Sequence, residues 1–192
     1  MDETIVNGYA SHMPILKEII KQNNVKSVIE TGMGDFSTKL FAELGLDFTS
    51  IEMSDLGWYQ KMGREVGKSG RLLMLEGKDK ACEYIRDSQN VDLVLVDGHH
   101  YSRFRQVQEG LRVAKMVIAH DSEALVYRWD RVVLPKGFVW VDIEQYWPMP
   151  WTAIIARKQI IDRNGWIKNL KHTEYTSMKD KKYIHLNIDE KV

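Results

Sequence analysis

The chain carries a glycine turn, Glu30-Thr31-Gly32-Met33-Gly34-Asp35-Phe36-Ser37, between two segments of different character. The apolar run 25–29 before it predicts a buried strand, and residues 37–44 after it predict a helix. A strand, a glycine turn and a helix together present backbone N–H groups to a ligand. Glu52 follows a second predicted strand, 48–51, where its carboxylate can accept hydrogen bonds from a ribose diol. This spacing predicts a cofactor that contains a nucleoside.

Length, charge and cysteine content restrict the class of protein. At 192 residues we expect a single domain over 1–192, with a core over about 12–158 and a C-terminal extension over 159–192. Lys plus Arg and Asp plus Glu balance at 27 each, so no net field favours an anionic membrane or a nucleic-acid partner. The single Cys82, the acidic N-terminus and the lack of a long apolar run predict a cytoplasmic protein with no membrane span.

Strand-like and helix-like segments alternate along the chain, which is typical of a parallel α/β sheet. Helices are predicted over residues 12–22, 37–44, 56–66, 80–86 and 104–114. Strands are predicted over residues 25–29, 48–51, 71–75, 91–96 and 116–119. The nearly continuous apolar character of 91–96 suits a strand that is covered on both faces.

The pattern changes in the C-terminal third. Two strand-like runs, 138–143 and 152–157, are joined by a segment that fits no helix, so we predict an antiparallel hairpin. Its tip holds Trp147-Pro148-Met149-Pro150-Trp151, which either stacks on a flat or sugar-like acceptor or packs the hairpin onto the sheet. The Lys-rich residues 168–182 predict a solvated surface. Alternation over 183–188 predicts a late edge strand, which either extends the sheet or pairs with a second copy in a homodimer.

This layout resembles the class I S-adenosylmethionine-dependent methyltransferases, in particular the small-molecule O-methyltransferase-like branch. The resemblance rests on the glycine turn, on Glu52, and on three later strand ends: Glu76-Gly77-Lys78, Val96-Asp97-Gly98-His99-His100-Tyr101 and Ile118-Ala119-His120-Asp121. It implies an α/β, Rossmann-like methyltransferase fold, with a mostly parallel seven-stranded sheet, an antiparallel C-terminal hairpin and helices on both faces. Phe36 departs from the pattern, since it holds the third glycine position of the usual loop.

The resemblance also implies which residues hold S-adenosylmethionine. Gly32 and Gly34 would let the backbone approach the methionine part of the cofactor. Glu52 would bind both ribose hydroxyls, and Met53 would pack on the adenine face. The cofactor-binding set is then Glu30, Thr31, Gly32, Gly34, Ser37, Glu52, Met53, Gly77, Lys78 and Asp97. Nicotinamide is the main competing cofactor, although Phe36 would crowd its pyrophosphate.

Asp97 and Asp121 end adjacent predicted strands, so we expect their carboxylates to converge beside the sulfonium. One interpretation is that they hold a divalent cation, Mg²⁺ or Mn²⁺, which orients a substrate hydroxyl; Ser122 is then a weak further ligand. A second is that His99 or His120 is a metal-free general base. A third is that His120 is a satisfied core residue and Asp121 a helix cap. The catalytic candidates are therefore Asp97, His99 and His120, and the metal candidates are Asp97 and Asp121.

Two other groups near the site are interpreted as structural. Trp58-Tyr59, after Glu52, predicts helix packing rather than a binding box. Arg103-Phe104-Arg105 predicts a solvated helix face rather than an anion site. Ser11-His12-Met13-Pro14 precedes the core, and its position alone suggests a segment that lies over the cofactor.

The predicted function is S-adenosylmethionine-dependent methyl transfer to a small-molecule acceptor, through a hydroxyl. Enzymes that methylate amino groups of nucleic-acid bases carry an Asn/Asp-Pro-Pro-aromatic motif where this chain has Asp97-Gly98-His99-His100, which disfavours a nucleic-acid acceptor. Two alternatives stay open. The first is a nucleoside-binding protein of the same fold without transfer activity, and the second is a nicotinamide-dependent oxidoreductase.

Overall fold

A computed structural model describes residues 10–77, 79–98, 102–144, 150–161, 163–181 and 183. The helices within these ranges are α1 (Met13–Asn23), α2 (Ser37–Glu43), α3 (Leu56–Val66), α4 (Lys80–Asp87), α5 (Arg103–Val113) and the short α6 (Lys158–Ile161). The strands are β1 (Ser27–Thr31), β2 (Asp47–Glu52), β3 (Arg71–Met74), β4 (Val91–Val96), β5 (Ala114–His120), β6 (Phe138–Ile143), β7 (Thr152–Arg157) and β8 (His172–Tyr175).

The strands form one sheet in the order β3-β2-β1-β4-β5-β7-β6-β8. Strands β1 to β5 are parallel, and β7, β6 and β8 each run antiparallel to their neighbours. Thr31 lies beside both Ile51 and Val96, and Val96 lies beside Ala119, so the parallel strands end at one edge. The chain leaves β1 toward β2 on one side and later places β4 on the other. This is the topological switch point where α/β sheets bind ligands.

Helices cover both faces of the sheet because successive side chains of a strand point to opposite faces. Leu93 and Leu95 of β4 pack in one buried layer with α1, α2 and α3. Val94 and Val96 pack in a second layer with α4 and α5. Burial of both faces explains the continuous apolar run of β4.

The predicted α/β fold is confirmed, with element boundaries that differ from the prediction by up to two residues. Two differences affect the sheet and the glycine turn. The sheet has eight strands rather than seven, because His172–Tyr175, inside the segment predicted as solvated surface, pairs with β6. An edge strand needs little apolar character, since its backbone supplies the pairing, and only Tyr175 of this strand is buried. The first strand ends at Thr31 rather than residue 29, so Glu30 and Thr31 belong to the strand and not to the turn. Of the predicted strand 183–188, residues 184–188 lie outside the described residues.

Candidate functional site

A cavity of about 780 Å³ opens at the carboxyl edge of the sheet, beside the β1–β4 switch point. Its walls come from the turn after β1, the end of β2, the residues after β4 and the end of β5. His12 and Pro150 line it from outside the sheet. This volume lies within the range of about 300–1,000 Å³ that small-molecule sites occupy.

The structure brings most of the predicted site residues to this cavity. Those that line it are Gly32, Gly34, Ser37, Glu52, Met53, Asp97, His120 and Asp121. Three predicted cofactor residues, Glu30, Thr31 and Gly77, do not line it. Lys78 and the catalytic candidate His99 lie outside the described residues. Direct contact of any of these residues with a ligand stays a prediction.

Gly32 is needed because the turn crosses very close to the end of β4. Its φ of +85° lies in the left-handed region, and a Cβ at this position would lie 2.4 Å from the Asp97 carbonyl oxygen. The neighbouring Gly98 faces the same turn, and a Cβ there would lie 3.0 Å from the Gly32 backbone nitrogen, a tight contact. Both glycines therefore let three strand ends close against one another, which gives the cavity its floor.

Glu30 lies beneath the turn, fully buried, and accepts hydrogen bonds from three hydroxyls. Ser37 and Thr38 donate from the start of α2, and Ser50 donates from β2. Burial raises the pKa of Glu30 to about 7, although the three hydroxyl donors oppose that shift. Glu30 thus ties β1, β2 and α2 together under the cavity.

Thr31 has a comparable role on the opposite face of β1. Its hydroxyl donates to Gln106 of α5 at 2.6 Å, and Gln106 in turn donates to Ser102 at 2.7 Å. Thr31 and Gln106 are both fully buried. This bond fixes α5 to the central strand.

Glu52 carries a carboxylate that the following loop orients. Its Oε1 accepts backbone N–H bonds from Met53 and Ser54, both at 2.9 Å, and from Asp55 at 3.1 Å. All hydrogen bonds to this carboxylate among the described residues end on Oε1, including one from the Ser54 hydroxyl. Oε2 therefore keeps its acceptor capacity for a ligand, on a side chain that lines the cavity.

Trp58 is a cavity residue that the sequence interpretation missed. The indole N–H donates to the Met33 carbonyl at 2.6 Å, and the ring lines the cavity beside the turn. Lys61 lies 4.2 Å from the ring centroid and also pairs with Asp35 of the turn at 2.7 Å. Trp58 packs on the core as predicted, but its position in the first turn of α3 also places it against the cavity.

Arg103 is the centre of the polar end of the cavity. Its Nε–H donates to the Gly98 carbonyl at 2.6 Å. Its Nη1 donates to the His120 carbonyl at 3.1 Å and to Asp121 Oδ2 at 2.8 Å. Its Nη2 donates to the Asp97 carbonyl at 3.1 Å and to Asp97 Oδ1 at 3.2 Å. These bonds use all five N–H donors of the guanidinium, so Arg103 clamps the ends of β4 and β5.

The prediction of a solvated face was wrong for Arg103, which is only 7% exposed. The same geometry bears on the predicted cation. Because the guanidinium bridges Asp97 and Asp121, these two carboxylates already share a cation that the chain supplies. As a pair they are a poor fit for a shared Mg²⁺ or Mn²⁺.

Tyr127 covers the clamp from its other side. Its ring centroid lies 4.3 Å from the guanidinium carbon of Arg103, and its hydroxyl donates to Asp121 Oδ2 at 3.1 Å. Asp121 has a φ of +55°, a left-handed conformation that Asp tolerates better than most residues. The strand end is thus turned so that its carboxylate meets Arg103 and Tyr127.

His120 has a partner on each ring nitrogen. Its Nδ1 lies 3.1 Å from Asp97 Oδ1, and its Nε2 lies 2.8 Å from the Ser11 hydroxyl. Burial lowers the pKa of His120, but the carboxylates of Asp97 and Asp121 together outweigh burial and raise that pKa overall. Burial likewise raises the pKa of Asp97, but His120 and Arg103 hold that pKa well below its usual range.

His12 stands in contrast to His120. It is 2% exposed and lines the cavity, and neither ring nitrogen has a hydrogen-bond partner among the described residues. Burial lowers the pKa of His12 to about 4, so the imidazole is neutral at pH 7. Its ring meets His120 edge to face, with centroids 4.7 Å apart. Of residues 11–14, which were predicted to lie over the cofactor, His12 lines the cavity; their contact with a cofactor stays a prediction.

The hairpin tip reaches the cavity at Pro150, whose carbonyl accepts a hydrogen bond from Ser11 at 3.1 Å. The N–H of Trp151 is held by Glu123 at 2.9 Å. Residues 147–149, including one Trp of the predicted acceptor wall, lie outside the described residues. The choice between an acceptor wall and hairpin packing therefore stays open.

Comparison with known proteins supports the fold. No family model and no curated protein sequence matches the chain. Among solved structures it is similar to monomeric WbdD, with 13% identity and a TM-score of 0.53 over 80% of this chain and 42% of that one. Another structure, of the bifunctional kinase-methyltransferase WbdD, matches with 15% identity and a TM-score of 0.50 over 78% of this chain and 40% of that one.

A methyltransferase-like protein from Silicibacter pomeroyi DSS-3, spo2022, shares 17% identity, with a TM-score of 0.48 over 81% of this chain and 88% of that one. The chain spans about two-fifths of the length of the WbdD structures. At identities this low, the likeness to WbdD establishes the fold alone. The chain has the Rossmann-like fold of methyltransferases.

Among the described residues, no helix combines the length and the apolar character that a membrane crossing needs.

Proposed function

We propose that the cavity binds S-adenosylmethionine and that the protein transfers its methyl group to a hydroxyl of a small-molecule acceptor. The observation that carries the proposal is that the Gly32 turn and an oriented Glu52 carboxylate line one cavity at the switch point of a methyltransferase fold. WbdD, which is described as a bifunctional kinase-methyltransferase, shares that fold. The fold and the residues point to the same ligand.

The nucleoside end of the ligand is assigned to β2. The loop amides hold Glu52 Oε1, so Oε2 meets a ribose hydroxyl without further ordering of the side chain. Met53, the residue after Glu52, and Trp58 of α3 supply apolar surface for the base. The methionine end then lies along the Gly32 turn, toward Asp97.

The acceptor end is assigned to the polar wall of Asp97, His120 and His12. When bound, the cofactor supplies a methyl group on a sulfonium, which is already a good leaving group. The protein contributes mostly proximity and alignment to such a displacement. Both nitrogens of His120 and Asp97 Oδ1 are engaged with partners, whereas the hydrogen bonds of Asp97 within the described chain leave Oδ2 for an acceptor hydroxyl.

Isothermal titration calorimetry with S-adenosylhomocysteine tests the cofactor assignment. We expect one site per chain, and we expect Glu52→Ala to weaken binding by about 5- to 150-fold, or roughly 1–3 kcal/mol, because ligand hydroxyls lose their partner. Glu43→Ala is the matched control, since Glu43 is exposed at the end of α2. Equal affinities for Glu52→Ala and wild type would refute the placement of the ribose.

A screen of hydroxylated small molecules with methyl-labelled S-adenosylmethionine tests the transfer. Label in a product supports the proposal. Cofactor binding without transfer to any acceptor supports the alternative of a binding protein. Binding of NADH, with no affinity for S-adenosylhomocysteine, would overturn the proposal in favour of an oxidoreductase.

A further inference from the structure

Three side chains with metal-ligand chemistry meet at the polar end of the cavity. His12, Asp97 and His120 each offer one ligand atom, and these atoms all lie within 4.8 Å of one another. His12 comes from the residue before α1, while the other two follow β4 and end β5. The fold thus gathers two imidazoles and one carboxylate from distant parts of the chain.

His12 is the member that points to a ligand. It is 98% buried, it lines the cavity, and both ring nitrogens lack a partner within the described part of the chain. A buried polar group left unpaired costs about 1–3 kcal/mol. A ligand in the cavity that accepts or donates at this imidazole would remove that cost.

The hydrogen bonds of Ser11 fix which nitrogen of His120 carries a proton. A serine hydroxyl has one hydrogen, and Ser11 donates it to the Pro150 carbonyl at 3.1 Å. Ser11 must therefore accept from His120 Nε2, 2.8 Å away. In the neutral ring this leaves Nδ1 as an acceptor, facing Asp97 Oδ1 at 3.1 Å. Two acceptors at that distance require a positive species between or beside them. Arg103 Nη2, 3.2 Å from Asp97 Oδ1, meets this need on the carboxylate side. On the side of His120 Nδ1, the species is either a second proton or a metal ion.

We propose that His12, His120 and Asp97 form a site for a borderline divalent transition-metal ion of the Zn²⁺, Co²⁺ or Fe²⁺ class. The ligands are one ring nitrogen of His12, Nδ1 of His120 and the carboxylate of Asp97. Two imidazoles with one carboxylate suit such ions, whereas Mg²⁺ prefers an all-oxygen set. This site differs from the Asp97–Asp121 pair predicted from the sequence, which Arg103 bridges.

The groups around the three ligands support this assignment. Metal-bound histidines usually donate their other N–H to an oxygen, and His120 does so through Nε2 to Ser11. Arg103 contacts Asp97 at Oδ1, 3.2 Å away, and Asp97 Oδ2 has no hydrogen-bond partner among the described residues. Bonds of about 2.1 Å place two ligands of one tetrahedral ion roughly 3.4 Å apart, so a pair at the 4.8 Å limit needs to close by about 1.4 Å. His12 is the ligand whose shift breaks no side-chain hydrogen bond within the described chain.

Three protein ligands leave coordination positions open to the cavity. If the proposed methyl transfer is correct, the ion would bind the acceptor oxygen there and lower the pKa of its hydroxyl. That role rests on the proposed function, whereas metal binding itself does not. The two are therefore measured separately.

The test is a titration of the full chain, first treated with a chelator, with Co²⁺. Visible absorption reports coordination by imidazole and carboxylate, and calorimetry gives stoichiometry and affinity. We expect one Co²⁺ per chain, unaffected by an equal concentration of Mg²⁺. His12→Ala should weaken binding at least 10-fold, and Ser11→Ala should weaken it by about 10-fold because His120 loses its orienting partner. His172→Ala, at an exposed histidine on β8, is the matched control and should bind as wild type.

Absence of a Co²⁺ spectrum in wild type would mean that His120 Nδ1 holds a proton instead, and it would overturn the inference. Equal binding by wild type and His12→Ala, or displacement by Mg²⁺, would overturn it as well. His12→Gln, which keeps the volume of the side chain, replaces His12→Ala if the latter fails to fold. S-adenosylhomocysteine affinity is measured on every variant. A ligand variant that loses metal binding but keeps its affinity for S-adenosylhomocysteine supports the metal site. A wild-type protein that binds the metal but has no affinity for S-adenosylhomocysteine counts against the proposed function and leaves the metal site standing.

Discussion

At the scale of single residues, Glu30 shows how a carboxylate can belong to a cofactor motif and yet serve the fold. It is fully buried under the turn, with hydroxyls of Ser37, Thr38 and Ser50 as donors. Burial raises its pKa from the ordinary value of 4.5 to about 7. The folded state therefore binds this proton more tightly than the unfolded chain does.

We predict a pH-dependent stability that Glu30→Gln removes. The contribution of Glu30 is fully present below pH 4.5 and is lost as pH rises through about 7. Between pH 4.5 and about 7, the free energy of unfolding of wild type should fall by about 3 kcal/mol relative to that of Glu30→Gln. Urea unfolding at several pH values from 4.5 to 8 measures it, and the exposed Glu43→Gln is the control. A difference that does not vary with pH would contradict the prediction.

At the scale of secondary-structure elements, Arg103 joins α5 to the ends of β4 and β5. Its five N–H groups reach three carbonyls and two carboxylates. Lysine has the same charge but concentrates its donors on one nitrogen, so it cannot reproduce this fork. The clamp thus links α5 to the two strand ends that carry Asp97 and His120.

We predict that Arg103→Lys lowers the free energy of unfolding by about 3 kcal/mol, because it leaves buried acceptors without donors. Arg105→Lys on the same helix is the matched control. Arg105 has a side chain that is 48% exposed and pairs with an exposed Asp79, so its replacement should change stability by less than about 0.5 kcal/mol. Chemical denaturation of both variants decides the matter. Similar losses for the two would show that Arg103 is not a clamp.

The elements themselves were largely predictable, and the contacts among them were not. Residues 91–96, 138–143 and 152–157 were predicted with the boundaries that the structure has, because burial on both faces and alternation are local signals. Glu52, which the structure places at the end of β2, was predictable from its spacing to the glycine turn. The partners of Arg103 lie 5 to 18 residues away in sequence, at ends of strands that meet only in the folded sheet.

His12 and β8 show the same limit. A histidine before the first helix carries no periodic signal, and only the folded chain brings it 4.7 Å from the ring of His120. The strand His172–Tyr175 lies in a Lys-rich segment and forms because the backbone of β6 is available at the edge. The metal interpretation from the sequence chose Asp121 as the second ligand, whereas the structure gives that residue to Arg103 and Tyr127.

At the scale of the whole molecule, the C-terminal segment is fastened to the sheet by one buried ion pair. Lys181 and Asp142 of β6 are in direct contact, and both side chains are fully buried. The Lys181 ammonium also lies 5.2 Å from the ring centroids of Trp140 and Tyr175. Burial raises the pKa of Asp142 and lowers that of Lys181, and each partner offsets part of the cost for the other. The segment around Lys181 is therefore anchored to β6. The edge strand β8 lies between Asp142 and Lys181 in sequence.

We predict that this pair is coupled. Lys181→Met should lower the free energy of unfolding at pH 7 by about 3 kcal/mol, because the Asp142 carboxylate, which also accepts from the Trp140 indole N–H, is left buried without its cation. Adding Asp142→Asn to that variant should restore stability, since a neutral amide removes the uncompensated charge while it can still accept from Trp140. Lys179→Met, at an exposed lysine two residues earlier, should change little. A double variant whose loss equals the sum of the two single losses would show that Lys181 and Asp142 act independently, and that the C-terminal segment is held by packing around Tyr175 and Met178 alone.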